Sequence, residues 1–353
     1  METYSTQNWS GFWYNSILFM TVLLSLRLLI SKKTIAAPTA LLYFFGIGIL
    51  LFFTSEPIFI YDDKYNYMSS FESVFDLKRN KFTGDFGFIL LSKCVKYFFN
   101  SFYAYLVIIA SIYIFGYLKF IKHFFTKEHQ FIVFFATICS LGFYAYGTNT
   151  LRQGMGLSLF LIAIVYQSNR LKHLFFTIIA VLIHKSLIIP AVAFYIIKKY
   201  NPKNNFIYFW IFCLVLTLIF GNAIAVYLGD FVSSSDVRLN NYVTGKNDGY
   251  KAGFKLNFLI YSVAPIVYGL KIKSKINSEF YNRMLSLYIV VNAVWLLVIR
   301  IAFTDRFAYL SWFLIPFIFL YPLSIQKIYK HQNAIIALII AYLSIVCYII
   351  ATK

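Results

Sequence analysis

The sequence predicts an all-α polytopic membrane protein in which residues 1–353 form a single integral-membrane domain. Of its 353 residues, 60% are hydrophobic and only 13% are charged, and the mean hydropathy is +0.71. Apolar runs long enough to cross a bilayer recur along the chain, which is typical of a helical bundle in lipid. Basic residues, which give a net charge of +19, stand in short clusters between these runs. Such clusters indicate cytoplasmic loops facing acidic membrane lipid, and they argue against a nucleic-acid partner.

The basic clusters also predict the orientation of the first spans. The apolar run 11–30 ends at a pair of lysines, so the chain starts outside, and the run 38–53 returns there. The polar segment that follows, about residues 54–85, is predicted to be an external loop region with short helices of its own. The run 86–99 would reach only about 21 Å as a helix, which is less than the hydrocarbon thickness. It is therefore predicted to be a short interfacial helix on the outer face.

The middle of the chain is predicted to turn at two polar sites on the outer side. The apolar run before the polar segment 147–156 crosses outward, and the run after it crosses inward. Two short helices then meet at His184, Lys185 and Ser186. Because basic clusters flank this pair of helices on both sides, the pair is predicted to be re-entrant, with its turn facing outward or partway down from the outer surface.

The remaining runs complete the predicted bundle. A second external loop, about residues 230–253, is rich in Ser, Asn and Gly. The total is about twelve transmembrane or re-entrant helices, with both chain ends outside and every basic loop inside. The predicted helices of the middle and carboxyl-terminal parts are 102–120, 131–146, 151–166, 174–183, 187–197, 206–228, 254–270, 284–299, 307–323 and 333–350.

The residue that most needs a function is Arg152. It lies within about a turn of two uncharged apolar runs, where an ionisable residue is costly and marks a functional site by default. Asn149 and Gln153 stand beside it. The predicted orientation places further unusual polar residues on the same outer side, and these are Asp62, Asp63, Asp85, His184, Lys185, Arg300, Asp305 and Arg306.

Structural alternatives exist for these residues. Arg152 is also compatible with an ion pair to Asp62 or Asp63. The turn 300–306 is compatible with a snorkelling anchor at the interface, and His184 with a hydrogen-bonded packing histidine. The four cysteines lie singly, without metal-binding spacing, and are predicted to be buried apolar residues.

The chemistry that fits this set of residues is a transfer from a lipid diphosphate. Arginines and helix amino termini bind phosphate oxygens through charge-assisted hydrogen bonds, and a histidine or carboxylate beside them can deprotonate a hydroxyl. Asp62 and Asp63 are adjacent, so their side chains point apart and do not suggest a metal pair. We therefore expect a reaction without metal or cofactor, in which arginines stabilise the charge on the leaving diphosphate.

Five motifs give the chain a resemblance to a known family. They are Asn149-Thr150-Leu151-Arg152-Gln153-Gly154, His184-Lys185-Ser186, Asp62-Asp63-Lys64-Tyr65-Asn66-Tyr67, Asp85-Phe86-Gly87-Phe88 and Arg306-Phe307-Ala308-Tyr309. These motifs cover nearly the whole chain and resemble the EpsG family of Wzy-like polysaccharide polymerases, which act in O-antigen, capsule and exopolysaccharide assembly. One departure is Asp85, where the family more often has glutamate.

The resemblance implies a multi-pass enzyme of the bacterial inner (cytoplasmic) membrane, a glycosyltransferase that needs no metal. Its substrate would be an undecaprenyl-diphosphate-linked oligosaccharide, which is transferred to the next lipid-linked repeat unit at the outer face. A flippase and a chain-length regulator of the same pathway are the implied partners. The implied roles are catalysis by Arg152 with His184, Asp62 or Asp63 as the base, diphosphate binding by Arg152, Arg306, Arg300, Gln153 and Asn149, and sugar binding by Asp85, Tyr65, Tyr67 and Lys185.

Three other functions share some of these features. A ligase would use the same lipid-linked donor with another acceptor, and the sequence separates it poorly from a polymerase. A transporter or flippase would need a midplane site reachable from both faces, whereas the unusual charges are one-sided and no inverted repeat is visible. An acyltransferase would need a donor site facing the cytoplasm, where the sequence has no polar cluster beyond ordinary loop charges.

Overall fold

All regular secondary structure in the described part of the chain is helical. The structure is a computed structural model, and it describes residues 6–30, 38–57, 62–76, 85–200, 206–233 and 253–352. No strand occurs among these residues, which confirms the all-α prediction. The chain divides into two compact units, one made of Met1–Ala191 with Leu323–Lys353 and one made of Val192–Pro322. The organisation as a single domain stays a prediction.

The first unit contains the candidate site and the longest run of buried helix. Its helices, in chain order, are α1 (Thr6–Ile30), α2 (Thr39–Ser55), α3 (Asp62–Glu72), α4 (Phe86–Phe99), α5 (Phe102–Phe124), α6 (Gln130–Ile138), α7 (Phe143–Thr148), α8 (Leu151–Val165), α9 (Arg170–Ile183) and, at the carboxyl terminus, α16 (Gln332–Ala351). A short 3₁₀ turn, Lys185–Leu187, follows α9.

Helix α8 is the centre of this unit. Every residue of α8 except Arg152 is buried, and α8 packs against α5, α7 and α9. The contact with α5 is close because a Cβ on Gly116 would lie 2.5 Å from the Cβ of Ser158. Ser158 Oγ also donates to the backbone oxygen of Tyr113 at 2.6 Å. Small residues and hydroxyl groups of this kind let helices approach each other where lipid supplies no hydrophobic driving force.

The second unit is held together by a buried polar network around Asn292. Its side chain is fully buried, accepts from Trp210 Nε1 at 2.8 Å, and donates to the hydroxyls of Ser262 and Ser311 at 3.2 and 3.1 Å. These four residues lie on four different helices. The helices that belong wholly or mostly to this unit are α10 (Ile188–Tyr200), α11 (Ile207–Ser233), α12 (Leu256–Lys273), α13 (Glu279–Leu296), α14 (Asp305–Trp312) and α15 (Ile315–Ile325).

Five helical segments in the described ranges are long and apolar enough to cross a membrane. They are Trp9–Ile30, Phe102–Phe124, Ile207–Tyr227, Asp305–Ile325 and Gln332–Ala351. Two shorter apolar helices, α2 and α8, add to them. These lengths and compositions identify the chain as a membrane protein. The count of about twelve spans, and the side on which each loop lies, stay predictions.

Most predicted helices have their expected positions, with two informative breaks. The run 131–146 forms two helices, α6 and α7, instead of one, because Gly142 takes a left-handed conformation (φ 92°) at the start of α7. The run 307–323 is likewise interrupted between α14 and α15. The predicted short helix at 86–99 has those bounds, and the predicted turn after Ile183 is the 3₁₀ turn before α10.

The predicted external loops are only partly described. Within the loop region 54–85, the predicted short helix is α3, and residues 58–61 and 77–84 lie outside the described part. Helix α11 continues to Ser233, so it extends five residues beyond the predicted end of that span, and most of the loop 230–253 also lies outside the described part. Three cysteines are buried as predicted, but Cys94 is exposed.

Candidate functional site

The unusual polar residues of the first unit meet at the carboxylate of Asp85. Arg152 Nη1 donates to Asp85 Oδ2 at 2.7 Å, and His184 Nδ1 lies 3.3 Å from the same oxygen. The backbone N–H of Lys185 donates to Oδ1 at 3.1 Å. We call Asp85, Arg152 and His184 the Arg–Asp–His cluster. The alternative partners for Arg152 considered from the sequence were Asp62 and Asp63, whereas its carboxylate partner in the described residues is Asp85.

Three helices bring the Arg–Asp–His cluster together. Asp85 directly precedes α4, and Arg152 is the second residue of α8. His184 ends α9 with an extended backbone (φ −152°, ψ 112°), which directs the chain into the 3₁₀ turn and aims the next N–H at Asp85. Because α9 packs against both α4 and α8, its end lies where residues from the other two helices can reach it.

Two glycines permit this approach. A Cβ on Gly87 would lie 3.0 Å from the backbone carbonyl carbon of Leu182 in α9. A Cβ on Gly156 would lie 2.5 Å from Leu187 Cδ1 and 3.6 Å from the Cβ of His184. Since real Cβ atoms seldom come closer than about 3.4 Å to such neighbours, a larger residue at position 87 would push α9 away from α4. A larger residue at position 156 would displace the Leu187 side chain and press on the Ala180 carbonyl of α9, 3.3 Å away.

Asp85 is held in its ionised form. Burial by itself would raise the pKa of this carboxyl, but the hydrogen bond and charge of His184, the charge of Arg152 and the Lys185 N–H together bring its pKa below the ordinary value of 3.8. An ionised carboxylate can only accept hydrogen bonds. His184 therefore places a proton on Nδ1 toward Asp85, and a neutral imidazole in this orientation has its lone pair on Nε2.

Arg152 and His184 each keep one nitrogen available to a ligand. Within the described residues, His184 Nε2 and Arg152 Nη2 have no hydrogen-bond partner. The side chain of His184 is 25% exposed and that of Arg152 is 35% exposed, against 9% for Asp85. The carboxylate is thus the enclosed member of the cluster, while the imidazole and the guanidinium reach the surface.

Aromatic side chains fix the plane of the Arg152 guanidinium. Arg152 Nε donates to the hydroxyl of Tyr67 at 3.4 Å, and Arg152 Cζ lies 5.6 Å from the centre of the Tyr67 ring. The Phe88 ring lies 6.0 Å from the same carbon and makes an edge contact with Tyr67. Such cation–π contacts orient an arginine without neutralising it.

The other predicted site residues of the first unit differ in exposure. Gln153 is buried in α8, and Asn149 is half-buried between α7 and α8. Asp63 is half-buried in α3, whereas Tyr65 is 48% exposed. The Lys185 side chain is exposed. Asp62 is the first residue of α3, and its side chain lies outside the described part.

The remaining predicted arginines belong to the second unit. Arg300 Nη1 donates to Asn222 Oδ1 at 3.1 Å, and its Cζ lies 5.4 Å from the Phe254 ring. Arg306 is the second residue of α14, with its Cζ 5.1 Å from the Phe303 ring. Phe303 has a left-handed backbone (φ 55°), which is strained for an aromatic residue and is typical of functional turns.

Sequence reasoning missed a second ion pair in the first unit. Glu56 and Lys64 form a salt bridge of 3.3 Å with both side chains fully buried, and Tyr144 donates to the same carboxylate at 2.7 Å. Burial raises the pKa of Glu56 and lowers that of Lys64, and the attraction between them offsets part of each shift. The only sequence signal was a single lysine within an acidic segment that follows an apolar helix, which is weak evidence for a buried pair.

Ligands for a metal ion are not assembled in the described ranges. No group of three or more His, Cys, Asp or Glu side chains there is arranged to hold one. At the surface of the Arg–Asp–His cluster, the Arg152 guanidinium is a hydrogen-bond donor that suits an anionic ligand, and His184 Nε2 has a lone pair that can accept a proton.

The match to a family model decides the family. The model of the EpsG family matches residues 40–353, a range that includes every residue of the Arg–Asp–His cluster and both arginines of the second unit. This chain belongs to the EpsG family. EpsG proteins are Wzy-like polysaccharide polymerases, so family membership indicates a polymerase of the glycosyltransferase type, in agreement with the membrane helices. No curated protein and no solved structure matches the chain.

Proposed function

We propose that this EpsG-family protein is a metal-independent glycosyltransferase that polymerises lipid-linked polysaccharide repeat units. In each cycle the growing glycan leaves its undecaprenyl diphosphate and moves to a hydroxyl of the next lipid-linked unit, at the outer face of the bacterial cytoplasmic membrane. The observation that carries this proposal is the Arg–Asp–His cluster, in which an oriented imidazole and a guanidinium share one carboxylate and each keep a nitrogen accessible.

His184 is the proposed general base. Its Nε2 accepts the proton of the acceptor hydroxyl while that oxygen bonds to the anomeric carbon of the donor glycan. The bond from this carbon to the diphosphate oxygen breaks, and its electron pair stays on the diphosphate. The proton then passes from His184 to solvent. Asp85 stays ionised throughout, because its task is to hold the Nδ1 proton and to stabilise the imidazolium that forms.

Arg152 is the proposed diphosphate ligand. Its Nη2 can donate to a phosphate oxygen while Nη1 remains on Asp85, and the stabilisation grows as negative charge develops on the leaving group. Helix α8 starts at Leu151 without a side-chain cap from Thr150, so the positive end of the helix dipole adds to the same effect. Arg306 and Arg300, which lie in the second unit, stay sequence-based candidates for binding phosphate.

The geometry changes the emphasis among the expected roles. It favours His184 over Asp62 or Asp63 as the base, because His184 shares the Asp85 carboxylate with Arg152. For Asp85 we propose positioning of the base in place of sugar binding, since both of its oxygens already accept hydrogen bonds. Tyr65 keeps the proposed sugar-binding role because it is exposed.

The partners follow from the proposed reaction. A lipid-linked repeat unit must reach the outer face before it is polymerised, so a flippase of the same pathway must supply it. A chain-length regulator is the second proposed partner, because the family resemblance implies one in the same pathway. Lipid contacts are supported by the five span-length helices.

The decisive test is the substitution Arg152→Lys in a strain that lacks the native protein. An ammonium retains the charge but cannot reproduce the planar fork, so we expect normal amounts of protein in the membrane and a collapse of the polysaccharide ladder on gels. The matched control is Arg283→Lys, an arginine in an exposed pair with Glu279, which should leave the ladder unchanged. A normal ladder from Arg152→Lys would remove Arg152 from the mechanism.

Two further readouts separate the alternative functions. A ladder that shows one transfer to another acceptor, without chain extension, would identify a ligase. Cysteines introduced at positions 152, 184 and 306 in a Cys94→Ser background should react with an impermeant maleimide added from outside. Labelling from both sides of the membrane would instead indicate transport.

A further inference from the structure

The ion pair between Glu56 and Lys64 is closed, in the sense that its donors and acceptors all have partners within the protein. Lys64 Nζ donates to Glu56 Oε2 at 3.3 Å and to the backbone oxygens of Phe53 and Glu56 at 3.2 and 2.9 Å. The other carboxylate oxygen of Glu56 accepts from the Tyr144 hydroxyl at 2.7 Å. All three ammonium hydrogens and both carboxylate oxygens therefore have partners, and neither side chain is exposed. This pair cannot touch a substrate.

The pair joins three segments of the first unit. Glu56 directly follows α2, Lys64 is the third residue of α3, and Tyr144 is the second residue of α7. Two of the three bonds from Lys64 go to carbonyls at the carboxyl end of α2, where the helix dipole favours a cation. One pair of charges thus fixes the start of α3 against α2 and α7.

Helices α3 and α7 both lead to Arg152. Lys64 and Tyr67 are three residues apart in α3, so they lie on the same face of that helix, and Tyr67 contacts the Arg152 guanidinium. Helix α7 leads directly into α8, whose second residue is Arg152. Displacement of α3 or α7 would therefore move the tyrosine, the arginine or both.

We propose that Glu56 and Lys64 are positioning residues for Arg152. Their buried ion pair sets the place of α3 so that Tyr67 holds the guanidinium in the plane that a diphosphate requires. This inference rests on the proposed function for its chemical meaning, although the positioning itself can be measured without any reaction. Charged groups suit this positioning role because their hydrogen bonds have defined directions. An apolar pair of similar volume can be as stable as a buried ion pair, but it does not specify one set of bonds.

The test compares single and double substitutions in the full-length protein. Lys64→Met or Glu56→Met alone leaves one buried charge without its partner, so each should lower the melting temperature in detergent. The double variant Glu56→Met with Lys64→Met removes both charges, and we expect it to recover most of that melting temperature. If the pair positions Arg152, the double variant should still give a short polysaccharide ladder.

The exposure of position 67 reports the position of α3 and can be measured independently of catalysis. Tyr67→Cys is placed in a Cys94→Ser background, because Cys94 is the exposed native cysteine, and its reaction rate with a small maleimide is measured in membranes. The double variant should label severalfold faster than the parent. The matched control breaks the exposed ion pair of Lys96 with Glu72, at the far end of α3, by Glu72→Gln with Lys96→Met. It should change neither the labelling nor the ladder.

The outcomes separate the two proposals. A double variant with a recovered melting temperature, the parent's labelling rate and a full ladder would overturn the positioning role. Faster labelling of the double variant would support the positioning role. If wild-type cells showed no chain extension in the same experiment, the proposed polymerase would be rejected while the positioning role stood.

Discussion

Two ion pairs in the first unit use the same chemistry at different depths. Glu56 and Lys64 are separated by 3.3 Å and are fully buried. Asp85 and Arg152 are separated by 2.7 Å, with 9% and 35% of their side chains exposed. Every donor and acceptor of the first pair is used within the protein, whereas the second shares its carboxylate with a histidine and leaves nitrogens at the surface. The closed pair can only hold structure, and the open one can meet a ligand.

The difference in burial also predicts that substitutions at the two pairs affect stability and activity to different extents. Removing one partner of a fully buried pair costs about 3–5 kcal/mol, because the other charge stays buried alone. A solvent-exposed pair typically contributes only about 0–1 kcal/mol, and the Arg152 side chain of the open cluster is 35% exposed. We therefore expect changes at the closed pair to appear first in stability and changes at the open cluster to appear first in polymer synthesis.

The largest effect is expected from His184→Ala. Loss of a general base slows a reaction by roughly 10²–10⁴-fold, so the polysaccharide ladder should disappear while the melting temperature changes little. The measurement is polymer length on gels with protein amounts taken from immunoblots. His123→Ala, at an exposed position in α5, is the control and should behave as wild type. A full ladder from His184→Ala would show that the open cluster contains no base.

A smaller effect is expected from Asp85→Asn. The amide is uncharged and directs N–H groups toward donors, so His184 loses both its orientation and the stabilisation of its charged form. Because the imidazole itself remains, we expect a shortened ladder instead of its complete loss. Asp85→Glu should recover part of the polymer length, because it restores the charge on a longer side chain. Equal polymer from Asp85→Asn and wild type would leave Asp85 without a positioning role.

A third effect tests the approach of α4 to α9. The Cβ of Gly87→Ala would meet the Leu182 backbone at 3.0 Å, so the helices must separate by a few tenths of an ångström, and Asp85 would draw back from His184. Since misplacement by about 1 Å can cost about 10²-fold, we expect a clear but smaller shortening of the polymer. Gly48→Ala in α2 meets nothing within 4 Å and should have no effect. Identical ladders from Gly87→Ala and Gly48→Ala would show that the spacing between α4 and α9 does not affect activity.

The smallest effect concerns pH. The pKa of folded Asp85 lies below its ordinary value of 3.8, so the folded state binds this proton less tightly than the unfolded state. The resulting stabilisation is fully present above pH 3.8 and is lost as the pH falls through the lower, folded pKa. The difference in melting temperature between wild type and Asp85→Asn should be at least as large at pH 5 as at pH 7, and it should shrink below pH 3.8. A difference that already shrinks near pH 6 would contradict the ionised cluster.

Much of the fold could be predicted from local sequence. The helix at 86–99, the turn at His184 and the position of Arg152 at the start of a helix follow from apolar runs and the polar residues that interrupt them. The break at Gly142 was not predictable in this way, because a glycine within an apolar run is also compatible with a continuous helix. The burial of Lys64 was not predictable either, since nothing local indicates that three acceptors surround it.

The sequence by itself determined that the chain is a helical membrane protein and that Arg152 and His184 need a functional explanation. Only the tertiary structure decided which carboxylate they share. Asp62, Asp63 and Asp85 were all available as partners, and the choice of Asp85 depends on how closely α4 and α8 pack against α9. The physical reason is that an ion pair forms within about 4 Å, a distance set by packing between helices far apart in the chain and invisible in any local pattern.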